Sequence, residues 1–143
     1  MSEQVKKEIK KLVEESRDVI VCSVDGNGYP NAKSMFKAKH DGMKTFWFST
    51  NVSAARTGQW LKNPNACIYF LDSENIHGLM LTGQIQVCTD NETKQAFWKP
   101  GDERYYPLGP TDPDYCMVRF TATEGNYWGQ QKYLFDLDSI EER

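Results

Sequence analysis

Residues 18–50 read DVIVCSVDGNGYPNAKSMFKAKHDGMKTFWFST, and this stretch decides the fold class. It is rich in β-branched and aromatic residues, which favour strands over helices. Two tight-turn signals interrupt it, at Gly26–Gly28 and at Asp41–Gly42. The stretch therefore predicts three consecutive antiparallel strands, over residues 18–25, 31–40 and 43–50.

Short elements continue on both sides of this meander. Before it, apolar residues recur at helical spacing behind a candidate N-cap, Ser2, and predict a helix: Val5, Ile9, Leu12 and Val13. After it, we expect two helices, over 53–62 and 91–99, and four strands, over 66–72, 77–89, 115–123 and 132–138. We also expect an ordered proline-rich loop over 102–114 and a turn at 125–129. Gly83, within a predicted strand, indicates a bulge or a close backbone approach. So many strands in so short a chain favour a mainly β fold, an antiparallel six- or seven-stranded barrel with short flanking helices.

The composition is typical of one globular domain spanning residues 1–143. Hydrophobic residues make up 39% and charged residues 26% of the chain, and the net charge is −3. A mildly acidic chain lacks the basic footprint of a general nucleic-acid binder, so we expect no nucleic-acid partner. No apolar run approaches the roughly 20 residues of a membrane helix, and the N-terminus has no apolar signal core. We therefore expect no membrane partner and a cytoplasmic location.

The cysteines and histidines indicate neither disulfides nor a metal site. Four widely spaced cysteines without a C-x-x-C pair are expected as free thiols inside strands: Cys22, Cys67, Cys88 and Cys116. His40 and His77 are the only histidines, and they stand in no cluster with metal-ligand spacing. We therefore expect no catalytic metal.

The segment FSTNVSAARTGQWLKNPN, residues 48–65, carries the best candidate for an anion site. A strand ends at Ser49-Thr50, and the predicted helix begins at Ser53, which places Arg56 on its first turn. A helix N-terminus presents free N–H groups and a partial positive charge, and hydroxyls with a guanidinium beside it would complete a phosphate cradle. A capped surface helix with a solvated arginine is the commoner explanation of such a pattern.

Three lysines lie on the second strand of the meander. Strict alternation puts Lys33, Lys37 and Lys39 on one face. A solvated strand face explains such a row most simply. The alternative is that Lys33 joins Arg56 around one phosphate, because the two segments flank the same Asp41–Gly42 turn and their strands should be neighbours.

Several short motifs follow one another over nearly the whole chain after the N-terminal helix: Gly28-Tyr29-Pro30, the strand from Lys33, Phe48–Asn51, Arg56, Leu61–Pro64, Leu81–Gly83, Phe97-Trp98, Asp112–Asp114 and Asn126–Trp128. In this order they resemble the pyridoxamine 5′-phosphate oxidase-like family of FMN-binding split barrels, and most closely its short general-stress-protein-like branch. The resemblance implies a split β-barrel that forms a homodimer with FMN at the interface. It also implies an oxidoreductase that acts on an unknown small-molecule substrate.

The resemblance implies roles for individual residues. Lys33 would contact the flavin, and Arg56 would bind its phosphate. Ala55 stands where relatives often carry a second basic residue, which leaves Ser53 and Lys33 to strengthen the phosphate site.

The remaining implied contacts come from three short segments. Backbone groups for the edge of the isoalloxazine ring would come from Ser34, Met35 and Phe36. The ribityl–phosphate region would meet Ser49 and Thr50. The position at which the family often places a glutamine from the facing strand is occupied by His77 or Gly78.

The chain also departs from true pyridoxamine phosphate oxidases. Ala38 stands where those enzymes carry a lysine, and the chain ends in DLDSIEER in place of their R-x-x-P tail. These departures argue against oxidation of a B6 phosphate and leave FMN binding as the main inference. Three alternatives stay open. They are a flavin-binding or sensing module without turnover, a barrel whose flavin site has decayed, and an oligonucleotide binder that uses the three lysines with Phe36, Phe46 and Trp47 as stacking groups.

Overall fold

The computed structural model describes residues 1–141. Among them are four α-helices: α1 (Glu3–Glu15), α2 (Ala55–Lys62), α3 (Asn91–Phe97) and α4 (Leu137–Glu141). The strands are β1 (Asp18–Val24), β2 (Pro30–Asp41), β3 (Thr45–Asn51), β4 (Asn65–Asp72), β5 (His77–Cys88), β6 (Tyr115–Trp128) and β7 (Lys132–Asp136). A short 3₁₀ turn, Asp102–Arg104, lies in the loop before β6.

Six of the strands close into an antiparallel barrel. Their order is β3-β2-β1-β4-β5-β6, and β3 pairs with β6 to complete the circle. β7 pairs with the far end of β6 and extends the sheet. The predicted antiparallel barrel with short flanking helices is confirmed, and the pairing of β3 with β6 leaves fewer free edges than an open sheet of this size would expose.

The barrel is split along one edge of β2. This strand pairs with β1 over residues 30–36, but it pairs with β3 only from Lys37 to Asp41. No strand within residues 1–141 pairs with the second edge of β2 over residues 30–36. Backbone groups on that edge are therefore available to something other than the sheet.

The barrel interior is filled by alternate, mostly large apolar side chains of the strands, among them Val19, Phe46, Phe48, Phe70, Leu79 and Phe120, all fully buried. The amphipathic helix α1 adds Ile9 and Val13 to the same core. Ser2 caps α1 as predicted, since its side chain accepts a hydrogen bond from the Val5 N–H at 3.2 Å. Helix and barrel thus share one hydrophobic core.

A second apolar cluster lies outside the barrel, between β5, β6 and the segment that joins them: Cys88, Tyr106, Tyr115 and Met117. The buried Lys94 on α3 donates to the Asp112 carbonyl at 2.9 Å, and the Tyr115 hydroxyl donates to the Lys94 carbonyl at 2.8 Å. These contacts anchor the loop over residues 102–114. The loop is therefore ordered, as its aromatic content predicted.

Three predicted boundaries are wrong. The turn predicted at 125–129 is strand up to Trp128, because Gly125 makes room for a side chain of β7: a Cβ atom there would lie 2.4 Å from the Phe135 ring. The helix predicted from Ser53 begins at Ala55, because Asp114 holds Ser53 in the preceding turn. α4 was not predicted, since residues 137 and 138 were assigned to the last strand.

The prediction that three lysines share one strand face is also wrong. A bulge between Lys37 and Lys39 shifts the register of β2 against β3. Lys37 stands opposite Phe48, which faces the core, and Lys39 stands opposite Trp47 on the other face. Lys37 instead donates to the Val13 carbonyl at 2.5 Å, near the end of α1. Since Phe46 is also fully buried, the stacking row required for oligonucleotide binding does not exist.

All four cysteines are free, as expected, and each lies in a strand. None of the helices within residues 1–141 has the length and apolar content needed to cross a membrane.

Candidate functional site

A cavity of about 190 Å³ lies at the split in the barrel, between β1, the open edge of β2 and the start of α2. Its lining residues are Val21, Ser23, Asn31, Ala32, Lys33, Ala55, Arg56 and Gln59. Lys33 is the register partner of the buried Val21, which turns it toward the barrel side of β2. The structure thus brings the two basic residues predicted for one anion, Lys33 and Arg56, to the walls of one cavity.

The N-terminus of α2 is not capped by any side chain. Its cap position is Ala54, and no side-chain hydrogen bond is formed there. The first N–H groups of the helix therefore lack the partner that a serine or aspartate would supply, and the helix dipole leaves them partially positive. Arg56 is the second residue of this helix, so its positive charge lies beside these N–H groups.

Two buried polar atoms have no hydrogen-bond partner among the described residues: Arg56 Nε on the first turn of α2, and Thr50 Oγ1 on β3, which is not among the residues that line the cavity. Thr50 is 1% exposed, so its hydroxyl cannot turn to solvent. An unsatisfied buried donor costs about 1–3 kcal/mol. A guanidinium N–H and a hydroxyl can both donate to a phosphate oxygen, so these unpaired donors fit an anionic ligand.

Ser49 and Tyr106 meet on the outer side of β3. Ser49 is exposed, and its side chain lies close to the buried Tyr106. Burial raises the pKa of Tyr106, while the neighbouring Ser49 side chain and the charge of Arg56 act in the opposite direction. Only the tertiary fold brings the loop that carries Tyr106 back to β3.

Ser53 is held by Asp114. Its N–H donates to one carboxylate oxygen at 2.8 Å and its hydroxyl to the other at 3.1 Å, while the Asn51 amide donates to the latter at 2.8 Å. These hydrogen bonds hold the pKa of Asp114 below its usual range, with the Ser53 N–H as the largest cause. The Ser53 hydroxyl already donates to Asp114. Lys33 is therefore the better candidate to supply the positive charge that Ala55 does not provide.

Ser34, Met35 and Phe36 lie on the open edge of β2. Met35 points into the core and is 6% exposed, whereas Phe36 is 57% exposed with the Arg17 guanidinium 4.9 Å from its ring centre. Ser34 is the register partner of Ile20 and shares the outer face. The backbone of this stretch therefore lies along the edge of β2 that no strand within residues 1–141 covers.

His77 and Gly78 do not line the cavity that Lys33 and Arg56 share. His77 lines a larger groove of about 860 Å³ between α1 and the β4–β5 hairpin, where its Nδ1 lies 3.3 Å from the Tyr127 hydroxyl. Gly78 lies beneath the Tyr69 ring, since a Cβ atom there would be 2.0 Å from the Tyr69 hydroxyl. Of these two residues, only His77 lines the groove.

Three polar residues of the cavity were not predicted: Ser23, Asn31 and Gln59. The Ser23 hydroxyl donates to Gln59 Oε1 at 2.5 Å, which ties β1 to α2 across the cavity. Gln59 could have been found from sequence, because it lies three residues after Arg56 and hence on the same helix face. Ser23 and Asn31 carried no such signal.

Comparison with known proteins places this chain in a family. The sequence profile described as pyridoxamine 5′-phosphate oxidase matches residues 5–129. A crystal structure from Clostridium acetobutylicum, of a protein related to general stress protein 26 of B. subtilis and described as of the pyridoxinephosphate oxidase family, is 43% identical. It covers 98% of this chain and 99% of its own with a TM-score of 0.88.

More distant structures share the fold. General stress protein 26 from Bacillus anthracis is 18% identical, with 92% of this chain and 99% of its own covered and a TM-score of 0.73. A pyridoxamine 5′-phosphate oxidase-related, FMN binding protein from Nostoc punctiforme is 14% identical, with 96% of this chain and 91% of its own covered and a TM-score of 0.66. No curated protein sequence matches. On the profile and the 43% identical structure, the chain belongs to the pyridoxamine 5′-phosphate oxidase family.

Proposed function

We propose that this protein binds FMN as a homodimer and acts as an oxidoreductase on a small-molecule substrate. The observation that carries the proposal is the unpartnered buried Nε of Arg56, on the wall of the cavity beside an uncapped helix N-terminus, with the unpartnered Thr50 hydroxyl on the preceding strand β3. Lys33 adds a second positive charge across the same cavity. Such a set of donors suits a phosphate monoester better than a neutral ligand.

Each part of the site would hold a different part of the cofactor. Arg56, Thr50 and the first N–H groups of α2 would bind the phosphate, with Lys33 as the second cation. The uncovered edge of β2 over residues 34–36 would offer backbone hydrogen bonds to the flavin ring. When bound, FMN supplies hydride or electron transfer, and the protein positions the ring and shields it from solvent. The Nostoc punctiforme relative described as FMN binding supports this choice of cofactor.

An exposed apolar face supports the homodimer. Ile20 and Tyr69 are register partners on the outer side of β1 and β4, and Leu71 follows on the same face. They are 38%, 37% and 62% exposed, and Phe36 on β2 is 57% exposed. A contiguous patch of large apolar side chains is typical of an interface. The face adjoins the open edge of β2, so a second copy seated on it would reach the flavin ring and could contribute residues 77 and 78.

The test is the absorbance spectrum of the purified protein, with the extracted chromophore identified by mass spectrometry, followed by FMN titration of flavin-free protein. We expect Arg56→Ala to weaken FMN binding by about 1–3 kcal/mol, roughly 5- to 150-fold, the scale of charge-assisted hydrogen bonds. Lys62→Ala is the matched control, because it removes a positive charge from the exposed far end of the same helix and should leave the affinity unchanged.

Two results would contradict the proposal. A protein that is colourless and takes up no added FMN does not have this function, and the decayed-site alternative then stands. Unchanged affinity in Arg56→Ala would show that the phosphate lies elsewhere. Reduction of the bound flavin by a reduced nicotinamide nucleotide separates an oxidoreductase from a module that only binds flavin, since the latter leaves the flavin oxidised.

A further inference from the structure

Two cysteines stand directly opposite each other on neighbouring strands. Cys22 on β1 is the register partner of Cys67 on β4, and the two strands are antiparallel. Both cysteines are free and partly exposed. Directly opposed residues of an antiparallel pair have Cα atoms about 4.5–5.5 Å apart, which lies within the range that a disulfide spans.

The Cys22 and Cys67 thiols are also close enough for one to influence the ionisation of the other. Burial raises the pKa of Cys67 to about 12, and the neighbouring Cys22 thiol adds to the increase. The other two cysteines, Cys88 and Cys116, are buried on β5 and β6, where their register partners are Met117 and Thr50. Cys22 and Cys67 are therefore the only two cysteines paired with each other in the register of the described strands.

We propose that Cys22 and Cys67 form a reversible dithiol–disulfide pair that responds to small hydroperoxides. This site is independent of the proposed flavin function, because it requires only the register of β1 and β4. Val21 and Ser23 on either side of Cys22 line the cavity, so alternation along β1 places the Cys22 side chain on the opposite, outer face of the strand.

The chemistry balances with hydrogen peroxide as the oxidant. One thiol, Cys22, takes an oxygen atom from the peroxide to become a sulfenic acid, and one water leaves. The Cys67 sulfur then attacks the Cys22 sulfur, the S–O bond breaks, and the departing hydroxide takes the Cys67 proton to leave as a second water. Two thiols are oxidised and one peroxide is reduced, and a dithiol reductant reverses the change by thiol–disulfide exchange.

The position of the two cysteines on the apolar face does not prevent this reaction. The pair lies two register positions from Ile20 and Tyr69, on the same face of the sheet, so dimerisation through that face would shield it from large reagents. Hydrogen peroxide is a small molecule, and the partner thiol is supplied by the same chain.

The test is oxidation of the full-length protein with hydrogen peroxide, followed by alkylation under denaturing conditions and intact mass measurement. We expect the loss of two hydrogen atoms and a fall in alkylated cysteines from four to two. Proteolytic mapping should find a peptide pair joined through Cys22 and Cys67, and a dithiol should restore all four thiols. The Cys88→Ser/Cys116→Ser double variant should behave like the wild type, and Cys22→Ser should form no intramolecular disulfide.

Several results would overturn the proposal. Four alkylatable thiols after oxidation, a bond between two chains, or a bond that involves Cys88 or Cys116 would each do so. Irreversible oxidation of Cys22 without a disulfide would also do so. The wild-type measurement decides the matter even where a variant folds poorly, and it can be made on flavin-free protein, so its failure is distinct from failure of the proposed function.

Discussion

Thr50 shows how one residue can be unfavourable for the empty protein and useful to a ligand. Its hydroxyl is buried in the barrel, and Oγ1 has no partner among the described residues. Nearby, the equally buried Thr57 donates its hydroxyl hydrogen to the Asn51 carbonyl at 2.7 Å. The two threonines thus differ in one respect, whether the protein itself satisfies the hydroxyl.

We expect Thr50→Val to stabilise the flavin-free protein and to weaken FMN binding. Removing an unsatisfied buried hydroxyl should raise the free energy of unfolding by about 1 kcal/mol, and loss of the bond to the ligand should cost about 0.5–1.5 kcal/mol of binding. Thr57→Val, the matched control, should lower stability by about 1–3 kcal/mol because it leaves the Asn51 carbonyl without this donor. Urea unfolding and FMN titration measure both effects. Equal destabilisation by the two substitutions would show that Thr50 is satisfied within the protein.

At the scale of the elements, register shifts determine which faces of the strands their side chains occupy. The bulge between Lys37 and Lys39 sends the two lysines to opposite faces of β2. A second register shift, between Thr82 and Gly83, lies in the pairing of β5 with β6. A Cβ atom at Gly83 would lie 1.9 Å from the Thr121 carbonyl oxygen, so only glycine permits this backbone approach.

We expect Gly83→Ala to destabilise the barrel by about 1–3 kcal/mol, because the clash is with backbone that cannot move without disturbing the β5–β6 ladder. Gly58→Ala is the control: no atom lies within 4 Å of a Cβ at that position, and it lies inside α2. There alanine should raise stability by about 0.5–1 kcal/mol through helix propensity. Thermal and urea unfolding measure both. If Gly83→Ala leaves the stability unchanged, the backbones of β5 and β6 lie further apart at this position than the structure shows.

At the scale of the whole molecule, the proposed flavin site depends on assembly. Lys33 and Arg56 lie at the split of one barrel, whereas His77 lies in a groove beside α1. A homodimer would bring the groove side of one copy toward the open β2 edge of the other. Oligomeric state and flavin affinity should therefore change together.

We expect light scattering after size-exclusion chromatography to give twice the mass of the chain, and Leu71→Asp to shift the protein toward monomer. Leu71 is 62% exposed on the apolar face, so a charge there should have little effect on folding but should disfavour burial against a second copy. FMN affinity should fall with dimer content. Leu61→Asp, on the exposed side of α2 at 68% exposure, should leave the dimer intact. If the Leu71→Asp variant is still a dimer, the interface lies elsewhere on the molecule.

Much of the fold could be predicted because it depends on local pattern. Alternation and turn residues predicted the meander, and the spacing behind Ser2 predicted α1 with its cap. Gly125 was misassigned to a turn, since a glycine that accommodates a ring of a distant strand looks the same in sequence as one that turns the chain. The contact with Phe135 is what distinguishes the two.

The sequence by itself determined the order of the seven strands and of the first three helices, the placement of Arg56 on the first turn of a helix, and the free cysteines in strands. Only the tertiary structure decided which side chains meet. The capture of Ser53 by Asp114, the unpaired state of Thr50 and Arg56, and the facing of Cys22 and Cys67 all depend on contacts between residues far apart in the chain. Local propensity acts over a few residues, whereas barrel closure and register are set by packing of the whole core.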